Sequence, residues 1–458
     1  MSSDGRALWL GCALWLGVGG AFCAHGAEVS REAVVAQNAA IAFAVYSDSA
    51  ETAKALQAAV DTLVEAPTEA HLAAAREAWL AAREPYGQSE VYRFRNGPID
   101  ALTVAGEMIP GEGREGYINA WPLDEALIDY VVEVDGNARN EDQPVTSLIA
   151  DERFEITPAN LNAMNELGEN EANVATGYHA IEFLLWGQDL NGDRAPHDGR
   201  RRRDDTPGQR PVTDYRADAD CTSGAESSPA AICERRGQYL RAAAALLVED
   251  LTRIAAAWDP DGGAHYQRFT AGEDEGRALL KILIGMGSLS YGELAGERIL
   301  VALAANSQED EHSCFADNTH RDIYLNALGI QNSYLGRYTR VDGAEVTGPG
   351  IDALLRAQGH TELADRLKAQ LAATMEAAQV IVDKAEQGMP FDRLIEQYPG
   401  EDKDGRPILN ANMANNILVN DVVVALQRQT RTIEDAIAAL FGEGIDYDIE
   451  DSPAFAGG

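Results

Sequence analysis

The stretch NVATGYHAIEFLLWGQDL, from Asn173 to Leu190, limits what this chain can fold into more than any other. Val174, Tyr178, Ile181 and Leu185 fall on one helical stripe. Ala175, His179, Glu182 and Trp186 fall on a second stripe roughly 100° away, so apolar groups surround most of the circumference. A helix of this kind has no face to offer water and must be enclosed by other elements. Asn170 is placed to cap its start, and Gly187 to end it in a left-handed conformation. Two groups inside it are polar: His179 and Glu182, one turn apart and pointing the same way. A buried carboxylate is costly without a partner, so Glu182 is expected to be ion-paired, protonated or bound to a metal.

An imidazole and a carboxylate at this spacing can fill two positions around a divalent or trivalent ion, a mix that suits iron, zinc or manganese. The alternative is a histidine hydrogen-bonded within the core, the commoner fate of a bare HxxE. The surrounding residues add a further indication, because GYHAIEFLLWG resembles the GxHxxE signature of the imelysin family, iron-regulated proteins of the bacterial envelope. Three more stretches carry the resemblance: AREAWLAAREPYGQSEVYRFRNGPID (Ala75 to Asp100), CERRGQYL (Cys233 to Leu240) and QEDEHSCFADNTHRDI (Gln308 to Ile323). The resemblance implies an all-helical protein of two related bundles, exported and linked to iron uptake, of a kind once grouped with metallopeptidases. Its implied partners are a metal ion and membrane components of an iron-uptake system.

With 37 basic against 74 acidic residues in 458, the net charge is -37. Such a surface repels phosphate backbones, so nucleic acid is not an expected partner, and a solvated surface explains the charge better than a metal-collecting field does. Residues 1–26 read as a signal peptide, with Arg6, an apolar run from Ala7 to Phe22 and small residues for cleavage, which places the mature chain in the periplasm or cell envelope. GAFC is a poor match to a lipidation signal, so no anchor at Cys23 is expected. No later stretch reads as a membrane span. In an oxidising compartment Cys221 and Cys233 can close a short loop, leaving Cys314 unpaired.

In chain order, a long Ala-rich helix runs from Ser30 to about Val64. Thr68 caps a second, through Trp79 to about Arg83, stopped or bent at Pro85. The following YGQSEVYRFRNGPID gathers Glu90, Arg93, Arg95 and Asp100. It is either a salt-bridged loop, or the source of further ligands, Glu90 and Asp100, for the ion held by His179 and Glu182. Short helical segments follow at Pro122 to Val132 and Pro158 to Leu167. Residues 27–192 form the expected N-terminal bundle, and 193–232, rich in Gly, Pro, Asp and Arg, a linker loop. Within the stretch that leads into it, DLNGD fails as a calcium loop because Arg194 and Arg200 occupy the sixth and twelfth places, and Arg200 to Arg203 read as a solvated run.

The expected C-terminal bundle, 233–442, begins with a helix from Cys233 to Trp258. Thr270 and Glu273 make a capping box for a helix from Glu273 to Ala304, whose Gly285, Gly287, Gly292 and Gly296 suggest close backbone approach. His312, Asp317 and His320 are secondary metal candidates, although Asp317 and Asn318 read better as caps of a helix from Thr319 to Gln331. Helices from Ile351 to about Gln387 and from Asn412 to about Leu440 precede an acidic tail, 443–458. No segment shows sustained strand alternation, so the class is all-α.

Three functions compete. A periplasmic metal-binding protein for iron acquisition fits best. A metallopeptidase would need an HExxH-like arrangement, yet HAIE puts its acid where a ligand would sit and leaves no separate base. A structural or partner-binding envelope protein would keep His179 and Glu182 as an internal salt bridge.

Overall fold

The computed structural model describes residues 29–131, 146–168, 170–190, 205–218, 220–221, 230–272 and 275–449. The leader with Cys23, the run Arg200 to Arg203, Glu273 of the expected capping box and the end of the acidic tail lie outside the described residues. Helix α1 (Arg31–Glu65) starts where Ser30 accepts the Ala33 amide at 3.2 Å, and Thr68 caps α2 (Glu69–Ser89) in the same way. Helix α2 does not stop at Pro85 but continues through it. A proline there forfeits a backbone bond, at roughly 3 kcal/mol. Burial of Trp79, Ala82 and Tyr86 along one stripe offsets it, since a fully buried large apolar side chain contributes about 1.5–3 kcal/mol.

Helix α3 (Gly177–Trp186) is buried at every residue. Helix α4 (Ala230–Ala257) follows, tied to the preceding loop by a Cys221–Cys233 disulfide. Helix α5 (Glu275–Ser288) runs on as a π-helical segment to Leu300 and a last α-turn to Ala305. A Cβ on Gly285 would stand 2.7 Å from the Val91 carbonyl oxygen, the close approach that its glycine content suggested. This helical run is long and apolar enough to cross a membrane by composition, which was not expected from the sequence, but 72% of its most apolar window is buried inside the protein.

Helix α6 (Thr319–Leu335) ends at left-handed Gly336 and leads into a hairpin of β1 (Arg337–Thr339) and β2 (Glu345–Thr347). The single helix expected from Ile351 is two, a short Ile351–Ala357 and α7 (Thr361–Glu386), parted by Gly359 at φ +86°. A second hairpin, β3 (Gly400–Glu401) with β4 (Pro407–Ile408), precedes α8 (Met413–Phe441). Strands of two or three residues are too short to leave an alternating pattern.

The protein is mostly helical, as expected. Helix α1 packs on α2, α4 and α5, and α3 lies against α2 and α4. Helix α6 joins α2 to α7, and α7 pairs with α8. The larger core contains Leu56, Trp79, Tyr178 and Leu251, and the smaller Ile299, Ile381 and Val422. Helix α6 contributes to both, with Ile330 in the first and Ile323 in the second.

Candidate functional site

The central helix begins later than the sequence suggested. Asn170 caps a turn instead, accepting the Ala172 amide, and the chain then runs extended into Thr176. In that segment the Ala175 amide donates to Asn165 and its carbonyl accepts from Tyr239, bonds that a helix would have used internally. Gly177 opens α3 at φ +84°, where a Cβ would lie 2.5 Å from the Ile118 carbonyl oxygen. Gly187 closes it at φ +73°, as expected.

This placement sends His179 and Glu182 into the core, 2% and 0% exposed. His179 Nδ1 lies 2.7 Å from Glu182 Oε2, and Glu182 Oε1 accepts the Ala316 amide at 2.9 Å. Burial pushes the Glu182 carboxyl well up and the His179 imidazole well down. His179 Nε2 is buried with no hydrogen-bond partner among the described residues.

His312, from the loop before α6, packs its ring edge-on against His179 with centroids 4.7 Å apart. Its Nδ1 lies 3.2 Å from Asp322 Oδ2 and its Nε2 3.1 Å from Asn119 Nδ2. The asparagine amide can only donate, which assigns the Nδ1–H tautomer to His312. Burial, with the nearby Arg298 guanidinium, lowers its pKa to about 4. Asn119 also donates to Glu90 Oε1 at 2.8 Å and accepts from Arg83, which ion-pairs Asp322 at 2.9 Å. Glu90 Oε2 meets Arg298 at 3.0 Å and Arg93 at 3.2 Å, and both arginines reach Glu293.

A family model for imelysin, named Peptidase_M75, matches residues 42–419. The chain belongs to the imelysin family. Iron-regulated protein A of Synechococcus elongatus is 38% identical over 79 residues, a match covering 17% of this chain and 19% of that relative. Among solved structures, a protein described as an iron-regulated protein A precursor from Parabacteroides distasonis is similar at TM-score 0.56 and 16% identity, covering 91% of this chain and 97% of that one. An imelysin-like protein from Psychrobacter arcticum gives TM-score 0.49 at 15% identity, with coverage of 92% and 98%. The Parabacteroides likeness shows a shared fold.

In this imelysin-family chain the candidates from sequence scatter into different settings. His179, Glu182 and His312 share one buried cluster, which Glu90 joins through Asn119. Both Glu90 oxygens are engaged by amide or guanidinium donors. Burial alone would raise the Glu90 pKa, but Arg298 and Arg93 hold it below the ordinary value.

Asp100 is elsewhere, accepting the amides of Phe94, Arg95 and Gly97 at 3.1 to 3.3 Å in the turn before the short helix Pro98–Ala101. Asp317, left-handed at φ +53°, brings a carboxylate oxygen within 4.8 Å of those of Asp189 and Asp392. His320 lies half-buried in the first turn of α6, its pKa lowered to about 4 by burial. Asn318 stands at the N-cap position of α6, but its side chain makes no capping bond.

Sequence reasoning missed Arg83, Asn119 and Arg298. A signal existed for the arginines: Arg83 falls among Trp79, Ala82 and Tyr86 on α2, and Arg298 beside Ile299, so each is a charge set in an apolar run. Nothing local marks Asn119, which enters the cluster only through the fold.

Proposed function

We propose that this protein is an exported metal-binding protein serving iron acquisition, with His179 Nε2 as its principal donor and Glu182 as the carboxylate that orients it. The observation that carries the reading is the buried, unpartnered Nε2 of an imidazole whose other nitrogen is held by a carboxylate, the arrangement typical of metal-binding histidines. The residues present fit iron or zinc, and a bound ion would supply the positive charge that lets the buried Glu182 carboxyl ionise. The His312 ring packs beside that of His179, and its Nε2 would become a second nitrogen donor on giving up the Asn119 amide. The disulfide supports export to an oxidising compartment.

Peptide hydrolysis is the weaker reading. It needs a carboxylate free to take a proton from water, whereas both oxygens of Glu182 and of Glu90 are engaged. Calorimetric titration of iron and zinc into metal-depleted protein tests the proposal. His179→Ala is expected to weaken binding at least roughly tenfold, and Glu182→Ala by about 10- to 100-fold, with helicity retained. Unchanged affinity in both variants would remove the pair from any metal role.

A further inference from the structure

A cavity of about 870 Å³ opens beside the buried cluster, between the turn after α2 and the short helix Glu115–Ile118. Its size lies within the roughly 300–1,000 Å³ common for small-molecule sites. Arg93 forms part of its wall. The bonds and ion pairs of Arg93 to Glu90, Glu115 and Glu293 all run through Nη1. Its Nε and Nη2 therefore make no hydrogen bond among the described residues, on a side chain that keeps 13% of its surface exposed. That edge presents two parallel N–H donors, the geometry that matches a carboxylate.

Other groups in the wall narrow the ligand. Asp100 cannot compete for Arg93, because its oxygens are occupied by backbone amides. Glu115 stands 3.3 Å from Arg93, and burial raises its pKa to about 7, so near neutrality its protonated form can donate to an incoming carboxylate. Glu112 and Glu166 are exposed residues of the same cavity, where they repel polyanions and attract an ammonium group.

We propose that the cavity binds a small zwitterion with a free carboxylate and a free ammonium group, of the amino-acid or short-peptide class. The carboxylate forks onto Nε and Nη2 of Arg93, and the ammonium lies toward Glu112 and Glu166. The cavity adjoins the His179 centre through Arg93, Glu90 and Asn119, and its test is run without metal.

The test is calorimetric titration of the full mature chain with triglycine, triglycine amide and N-acetyltriglycine. Saturable triglycine binding is expected, at least roughly tenfold weaker for the amide, which lacks the carboxylate, and weaker for the acetylated form, which lacks the ammonium. Arg93→Lys should weaken triglycine at least about tenfold, since lysine cannot offer the fork. Because Arg93 also belongs to the buried ion pairs, Val104→Trp provides an independent variant: Val104 lines the cavity, is 47% exposed and takes no part in those pairs, and the indole should block binding. Glu166→Gln should weaken triglycine but leave N-acetyltriglycine unchanged. Absence of saturable triglycine binding, equal binding of the three compounds, or full binding by Val104→Trp would each overturn the proposal.

Discussion

Gly177 lies so close beneath Ile118 that a Cβ on it would stand 2.5 Å from the Ile118 carbonyl oxygen, while its own φ is +84°. The glycine of GxHxxE is thus required twice over, by conformation and by space. Gly177→Ala should lose at least about 2 kcal/mol of stability and metal affinity with it, although His179 and Glu182 remain. Gly168→Ala is the control, with φ +77° but nothing within 4 Å, and should show only the conformational cost. Urea denaturation of both variants checks this; equal losses would refute the steric part.

Arg83 is fully buried and holds Asp322, Asn119 and the faces of Tyr86 and Tyr178. Arg83→Met strands the Asp322 charge, and a loss of about 3–5 kcal/mol is expected. Adding Asp322→Asn should recover part of it. Denaturant midpoints of the single and double variants measure the coupling, and strict additivity would count against a shared network.

Stability should vary with pH in opposite senses at two places in the cluster. Glu115 has a folded pKa raised by burial to about 7, so its contribution is fully present below the unfolded value near 4.5 and is lost as pH rises through 7. Glu293 is also buried, yet Arg93 and Arg298 depress it to about 2, so its contribution is present above its unfolded value and is lost as pH falls toward 2. Glu115→Gln should flatten the decline between pH 4.5 and 7 without changing the acid limb. Identical pH profiles for variant and wild type would rule out Glu115 as the titrating group.

Cys314 is buried, and burial raises its thiol pKa well above the ordinary value. A thiol reagent should leave the folded protein nearly unlabelled and reach Cys314 on unfolding without reductant, while Cys221 and Cys233 stay protected by their bond. Replacing Cys221 and Cys233 with serine should cost roughly 2–4 kcal/mol. Peptide mass mapping and denaturation curves check both expectations.

The helices were legible in the sequence because their caps and apolar stripes are local: Thr68 and Gly187 act where their types suggest. Boundaries were misplaced where tertiary contacts decided them, as at Pro85, carried through by a buried stripe, and at Ala175, whose backbone bonds to Asn165 and Tyr239. For the site, the His179–Glu182 pair was visible from spacing alone. Its surroundings were not, because Asn119, Arg298 and the Ala316 amide come from distant parts of the chain.

The hydrogen bond from the Ala316 amide to Glu182 crosses 134 positions of sequence. The signature on α3 is therefore a set of letters whose chemistry is completed elsewhere: a peptide carrying GYHAIEFLLWG would keep the imidazole and the carboxylate but lose the donor that fixes the carboxylate's orientation. Transplanting the motif into another helical scaffold should fail unless the loop from Glu311 to Asn318 travels with it.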